Sequence, residues 1–420
     1  MTPRTPSSVA LFAGGCMTLA SLGFTAGAQA EGFVEDANFS LNLRNFYINR
    51  NFVDSDYPQS KGEEWTQSFI LNFQSGYTPG PVGFGVDALG LLAVKLDGGG
   101  GTYGTGLLPV HGAPGDRHPP DDFARLAVAA KAKFSETEVR VGEWMVVLPI
   151  LRSDDGRSLP QTFQGGMITS KEIKGLSLYG GQMRQNSPRD DCSMDDMFYG
   201  GASSDRFNFV GGEYELGAKT KVGAWHARLE DIYQQNYFQL LHTQPLGEGV
   251  ALTANLGYFT GKEEGSALAG DLDNKTYSGL FGLQVGGNTF YVGLQKVSGD
   301  NGWMRVNGTS GGTLANDSFN SAYDNANERS WQLRHDYNFA GMGVPGLTIM
   351  NRYISGDQIE AGGVDDGKEW GRESELAYTV QSGPLKSLNI KWRNSSIRRD
   401  YSSTEFDENR LIFNYPLSLL

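Results

Sequence analysis

Apolar and polar residues alternate one by one through most of this chain, in segments of about ten to fifteen residues separated by turn-forming residues. In Trp331–Phe339, Trp331, Leu333, His335, Tyr337 and Phe339 share one side, with Gln332, Arg334, Asp336 and Asn338 on the other. Leu388, Ile390 and Trp392 likewise oppose Asn389, Lys391 and Arg393, and Leu126, Val128, Ala130 and Phe134 oppose Arg125, Lys131 and Lys133. A period of two residues is that of a β-strand with two different faces.

The connections between these segments also alternate. Asn51–Glu63 is long, Thr78–Pro81 short, Asp97–Asp121 long, Ser135-Glu136 short, Met145–Pro160 long and Lys171–Lys174 short, a pattern expected to continue to the C-terminus. A barrel crossing an outer membrane has tight turns on its periplasmic side and long loops outside. A soluble sandwich has no reason to sort its connections by length. The pattern therefore predicts an all-β chain folded as a transmembrane antiparallel β-barrel with short periplasmic turns and long external loops.

Eighteen strands are expected, near residues 38–50, 64–77, 82–96, 122–134, 137–144, 161–170, 174–184, 206–216, 219–231, 232–245, 249–261, 275–286, 288–299, 328–339, 346–356, 370–382, 386–398 and 405–416. Barrels of about 16–18 strands enclose an aqueous lumen, so this one should conduct. A charge facing lipid at mid-depth costs about 2–4 kcal/mol, which assigns the polar faces to the water-filled side. His335 breaks a lipid-facing row and is expected near an interface.

The same parity places Arg44, Arg125, Arg140, Arg334, Arg352, Lys391, Arg393 and Arg410 on the lumen wall. The chain as a whole carries a formal charge of −13. Its acids gather in loops, as in Asp54/Asp56, Glu63/Glu64, Asp121/Asp122, Asp190/Asp191, Asp195/Asp196 and Asp365/Asp366. An acidic exterior around a cationic wall attracts small anions and repels cations. The alternative is that the wall arginines only pair with wall acids such as Glu213, Asp336 or Glu375.

The N-terminus reads as an export signal over residues 1–30. Arg4 precedes the apolar stretch Val9–Leu22, and Ala28-Gln29-Ala30 gives a small-x-small cleavage site. Ala13-Gly14-Gly15 ahead of Cys16 is a poor lipidation signal, so the mature chain is expected to begin at Glu31 with Cys192 as its one thiol. Residues 31–420 show no composition break and read as a single barrel domain. His111, His118, His226, His242 and His335 stand in no spacing that suggests a catalytic set, and Gly98–Gly106 lacks the Lys-Ser/Thr of a phosphate cradle. No enzyme, cofactor, metal site or nucleic-acid partner is expected.

Many ordered segments resemble the OprD-type substrate-specific outer-membrane porins of pseudomonads. They include Leu43-Arg44-Asn45-Phe46-Tyr47-Ile48-Asn49-Arg50, Leu229-Glu230-Asp231-Ile232-Tyr233, Ser330-Trp331-Gln332-Leu333-Arg334, Arg352-Tyr353-Ile354-Ser355-Gly356-Asp357 and the ending Glu408–Leu420. The resemblance implies a Gram-negative outer-membrane channel of 18 strands, often weakly trimeric, inserted by the barrel-assembly machinery among lipid and lipopolysaccharide. It also implies that the third external loop, here Trp144–Phe163, folds inward. Its residues Arg152, Ser153, Asp154, Asp155 and Arg157 would narrow the lumen. A ladder of basic wall residues would lead carboxylate-bearing substrates past them. The loop looks more like that of the branch taking benzoate-like and other small carboxylates than that of the basic amino-acid branch. A channel for basic amino acids, with Asp154 and Asp155 at its constriction, and an unselective small-anion pore stay open as alternatives, as does, further off, a barrel-embedded hydrolase.

Overall fold

The computed structural model describes residues 32–113, 116–309 and 312–420. The signal segment expected over residues 1–30 lies outside them. In chain order the strands begin with β1 (Asn38–Phe52), β2 (Lys61–Gln74), β3 (Gly83–Asp97), β4 (Asp122–Phe134), β5 (Thr137–Trp144), β6 (Val147–Leu148), β7 (Leu151–Arg152) and β8 (Thr162–Ser170). They continue with β9 (Leu176–Ser187), β10 (Met197–Tyr199), β11 (Ala202–Ser204), β12 (Phe207–Leu216), β13 (Thr220–Leu229), β14 (Tyr233–Gly247) and β15 (Val250–Glu263). The last are β16 (Asp273–Val285), β17 (Asn288–Ser298), β18 (Arg329–Asn338), β19 (Leu347–Ala361), β20 (Val364–Thr379), β21 (Asn389–Arg399) and β22 (Phe406–Ser418).

Eighteen of these form one antiparallel sheet, and it closes on itself because β1 pairs with both β2 and β22. Closure leaves no unpaired edge, the condition for backbone to cross a bilayer as strands. The two short pairs, β6–β7 and β10–β11, are hairpins within loops. All 18 expected strands are present, with ends shifted by a few residues.

Loop lengths follow the expected alternation through β12 and then depart from it. On the rim opposite the termini, β13 and β14 are joined by residues 230–232 alone, and β19 and β20 by Gly362-Gly363. On the short-turn rim, residues 339–346 and 380–388 are longer than either. Gly362 and Gly363 both have positive φ (61° and 80°), the backbone of a tight hairpin turn. The stretch 357–369, expected as a loop, is therefore mostly strand. Register shifts between Gly356 and Ile359, and again before Ala361, broke the alternation that would have revealed it.

The outer face carries exposed Leu126, Val128, Trp331, Leu333 and Trp392. His335 stacks on Phe290 at 4.8 Å and meets Asn288 Oδ1 at 3.0 Å, close to the short-turn rim. The inner face is not uniformly polar. Phe46 and Ile48, on the same side as Arg44, are buried with Leu107, Leu108 and Leu159 from two loops. A larger cluster joins Phe207, Tyr237 and Phe259 of the wall to Val146, Leu148, Trp303 and Met304 of loops. The apolar core thus sits inside the barrel, where loops dip into its upper half.

Candidate functional site

The third loop (residues 145–161) folds into the barrel. The β6–β7 hairpin lets Ser153 turn back, its hydroxyl accepting from the Val146 N–H at 2.9 Å. Arg44 on the wall then holds the loop tip. It donates to both oxygens of Asp155 (2.8 and 3.2 Å), to the Arg157 carbonyl (2.7 Å) and to Asn414 (3.0 Å). Ser158 and Thr66 share a hydroxyl contact of 2.8 Å, and Arg157 donates to the Thr105 carbonyl at 2.9 Å. Asp154 pairs with Arg189 of the next long loop. Arg125 is caged by the Ser187 hydroxyl and by the carbonyls of Pro160, Pro188 and Asp191. Arg152 is exposed and lies against Gly312. Of the residues expected on the ladder, Arg44 and Arg125 thus anchor loops.

A second inward loop runs between β17 and β18. Gln332 donates to the Ala315 carbonyl at 2.8 Å, Asn320 to Ser395 at 2.7 Å and Ser321 to Glu369 at 3.1 Å. Arg352 donates to the Asp317 carbonyl (3.0 Å) and Arg410 to the Phe319 carbonyl (3.0 Å). This brings the Phe319 ring within 4.1 Å of the Arg393 guanidinium, 4.8 Å of Arg352 and 5.8 Å of Arg410. Contacts of this kind contribute about 0.5–1 kcal/mol when exposed and up to ~2 when desolvated.

Phe319 lines a cavity of about 640 Å³. Seven arginines line it (Arg50, Arg157, Arg189, Arg305, Arg393, Arg399 and Arg410) with three aspartates, Asp154, Asp190 and Asp317, while Glu408, Glu369, Glu375 and Asp324 pair with five of these arginines from behind the lining. Phe319 and Phe406 add aromatic surface. Burial pushes the Arg157 pKa well down, and its neighbours Arg410 and Arg189 lower it further. Burial also raises Asp190, and it lifts Asp317 to about 6 against the opposing pull of the Gly312 N–H, Arg305 and Arg352.

The remaining wall cations are mostly paired. Arg334 forms a double hydrogen bond with Asp336 (2.8 and 2.6 Å), and Arg352 meets Glu373 at 2.5 Å. Arg393 meets Glu375 and Arg410 meets Glu408, each at 2.5 Å. Arg140 lies 3.2 Å from Asp87 and 3.1 Å from Glu138. Lys391 has no ion-pair partner among the described residues. Pairing does not silence every cation. The Arg393 side chain keeps 20% of its surface exposed, whereas Arg410 keeps 2%.

Four cavity arginines were missed in the sequence. Arg50 and Arg399 share the parity of Arg44 and Arg393, so the alternation contained the signal. Arg189 and Arg305 sit on loops, where no period marks direction. Among the described residues no group of three or more His, Cys, Asp or Glu side chains could hold a metal ion.

Comparison with known proteins places this architecture. Residues 31–419 match the outer membrane porin, OprD family. The chain is 65% identical over 398 residues to the porin-like protein GalP of Pseudomonas putida, covering 94% of this chain and 95% of that protein. A BenF-like porin from Pseudomonas fluorescens superposes with a TM-score of 0.90 at 66% identity, over 92% of this chain and 100% of that one. OccK2 (OpdF) of Pseudomonas aeruginosa, solved in complex with glucuronate, gives 0.85 at 58% identity over 93% of this chain and 100% of that one. OpdK of the same organism, solved with vanillate, gives 0.87 at 47% identity over 92% and 100%. The chain belongs to the OprD family of outer membrane porins, and its 18-stranded barrel is an outer-membrane channel.

Proposed function

We propose that this porin gives passive, selective diffusion of small carboxylates, with benzoate-like aromatic acids favoured. The observation that carries the reading is the cavity between the inward loops, whose surface gathers seven arginines and two phenylalanine rings around three aspartates. Fixed positive charge in a narrow lumen concentrates anions, and a guanidinium offers a carboxylate two parallel donors. Arg393, Arg399 and Arg410 line this cavity from β21 and β22, and Arg352, Arg334 and Lys391 share the inward-facing parity of the wall beside it. Relatives solved with glucuronate and vanillate support a carboxylate cargo.

A basic amino-acid channel would need free acids at the constriction. Asp154 and Asp155 are instead taken up by Arg189 and Arg44. The pairing of Arg334, Arg352, Arg393 and Arg410 with wall acids favours, as a second reading, a less selective small-anion pore. The relatives are channels, and this chain passes its substrates by diffusion without catalysis, with outer-membrane lipid, lipopolysaccharide and other copies in a weak trimer as surroundings. Block of chloride current by benzoate in planar bilayers separates the two. Saturable block supports a carboxylate site, and linear, unblocked current supports the unselective pore.

A further inference from the structure

Phe319 is a loop residue held through both its N–H and its carbonyl. Its N–H donates to Glu373 Oε1 at 3.0 Å and its carbonyl accepts from Arg410 at 3.0 Å. Asn320 and Ser321 bind the wall next to it through Ser395 and Glu369. The backbone is therefore fixed while the ring retains its own rotation about the side-chain bonds.

That ring is shared by three guanidinium groups from β19, β21 and β22, at 4.8, 4.1 and 5.8 Å. The carboxylates of Glu373, Glu375 and Glu408 already take the edges of these three groups. What remains to a visitor is chiefly the flat face, and a guanidinium face accepts an aromatic ring.

We infer that Arg352, Arg393 and Arg410 form a ring subsite, held by Phe319 and surrendered to the aromatic ring of a carboxylate in transit. The inference rests on the carboxylate reading above and names where the ring of such a substrate lies. Phe319 is then a competitor of every ligand at this cluster. Its occupancy weakens all of them by the same factor, the fraction of time the subsite is open. The preference for a flat ring over a saturated one belongs to the guanidinium faces and does not depend on Phe319.

Planar-bilayer recordings test this with two probes of equal charge and similar size, benzoate and cyclohexanecarboxylate. The wild-type channel should be half-blocked by benzoate at the lower concentration. In Phe319→Leu both half-block concentrations should fall about five- to tenfold, with their ratio unchanged and the open conductance raised. Phe319→Ala guards against leucine refilling the same place and should act in the same direction. Selective weakening of benzoate block in either variant would mean that Phe319 stacks on the substrate itself, and would overturn the inference. Block that is the same in wild type and both variants would overturn it too, while leaving the carboxylate reading standing. Absence of block by either acid in the wild type would instead remove that reading, and this inference with it.

Discussion

Arg393 and Arg410 stand directly opposite each other across β21 and β22. Arg334 and Arg352 repeat the arrangement across β18 and β19. Like charges in this position repel and weaken a sheet. Each of the four is relieved by a carboxylate: Glu375, Glu408, Asp336 and Glu373. The wall tolerates adjacent cations because every one has an acid at its side, and the acids set how much positive charge the lumen shows.

Removing such an acid should therefore make the pore more anion-selective. In Glu375→Gln, Arg393 loses its partner and its partly exposed charge faces the lumen uncompensated. The reversal potential across a salt gradient should move toward chloride. Arg393→Gln should move it the other way, because Glu375 is then the unpaired group. Equal reversal potentials in both variants would mean that this pair has no part in selectivity.

Arg44 should control the position of the third loop. Its contacts to Asp155 and to the Arg157 carbonyl are charge-assisted, each worth about 1.5–3 kcal/mol in typical series. Arg44→Ala should leave the barrel assembled and heat-modifiable on a gel, yet raise conductance and the frequency of gating steps. A variant with wild-type current traces would show that the apolar contacts of Leu159 alone hold the loop.

The loop carrying Phe319 should dock more firmly in acid. Burial raises Asp317 from its ordinary 3.8 to about 6 in the docked loop, where Arg305, Arg352 and Asp324 face it. The docked state thus holds its proton more tightly than a released loop would. Its stabilisation is complete below about 4 and is lost as pH rises through about 6. Current fluctuations should be fewer at low pH than at neutral pH. Asp317→Asn should abolish that step between the two pH values; a step that persists in the variant assigns it to another group.

Labelling along β18 should report both the wall and the loop above it. In a Cys192→Ser background, which removes the exposed native thiol, cysteines at 334 and 336 should react with a water-soluble maleimide. Cysteines at 333 and 337 should not. Position 332 faces the lumen but is covered by Ala315, so it should label slowly, and faster in a variant that frees the loop.

The wall was legible in the sequence because lipid on one side and water on the other impose a two-residue period, as in Trp331–Asn338. The period fails where that contrast fails. Phe46 and Ile48 point inward beside Arg44 because loops, not water, meet them there. It also fails at the bulges after Gly356, where strand continued through residues read as loop. For the site, parity located Arg393 and Arg410 but could not say that Arg44 and Arg125 would be spent on holding loops. The depth of the second inward loop, and with it the place of Phe319, depends on contacts such as Asn320 to Ser395 between residues far apart in the chain. No local pattern encodes those.

The lumen should admit small carboxylates in preference to cations. Proteoliposomes bearing the wild-type channel, compared for influx of benzoate and of free L-arginine over a range of concentrations, test it most directly. Benzoate entry should be the faster and should saturate, together with an anion-selective reversal potential in simple salt. Faster entry of L-arginine, or a cation-selective reversal potential, would contradict that preference.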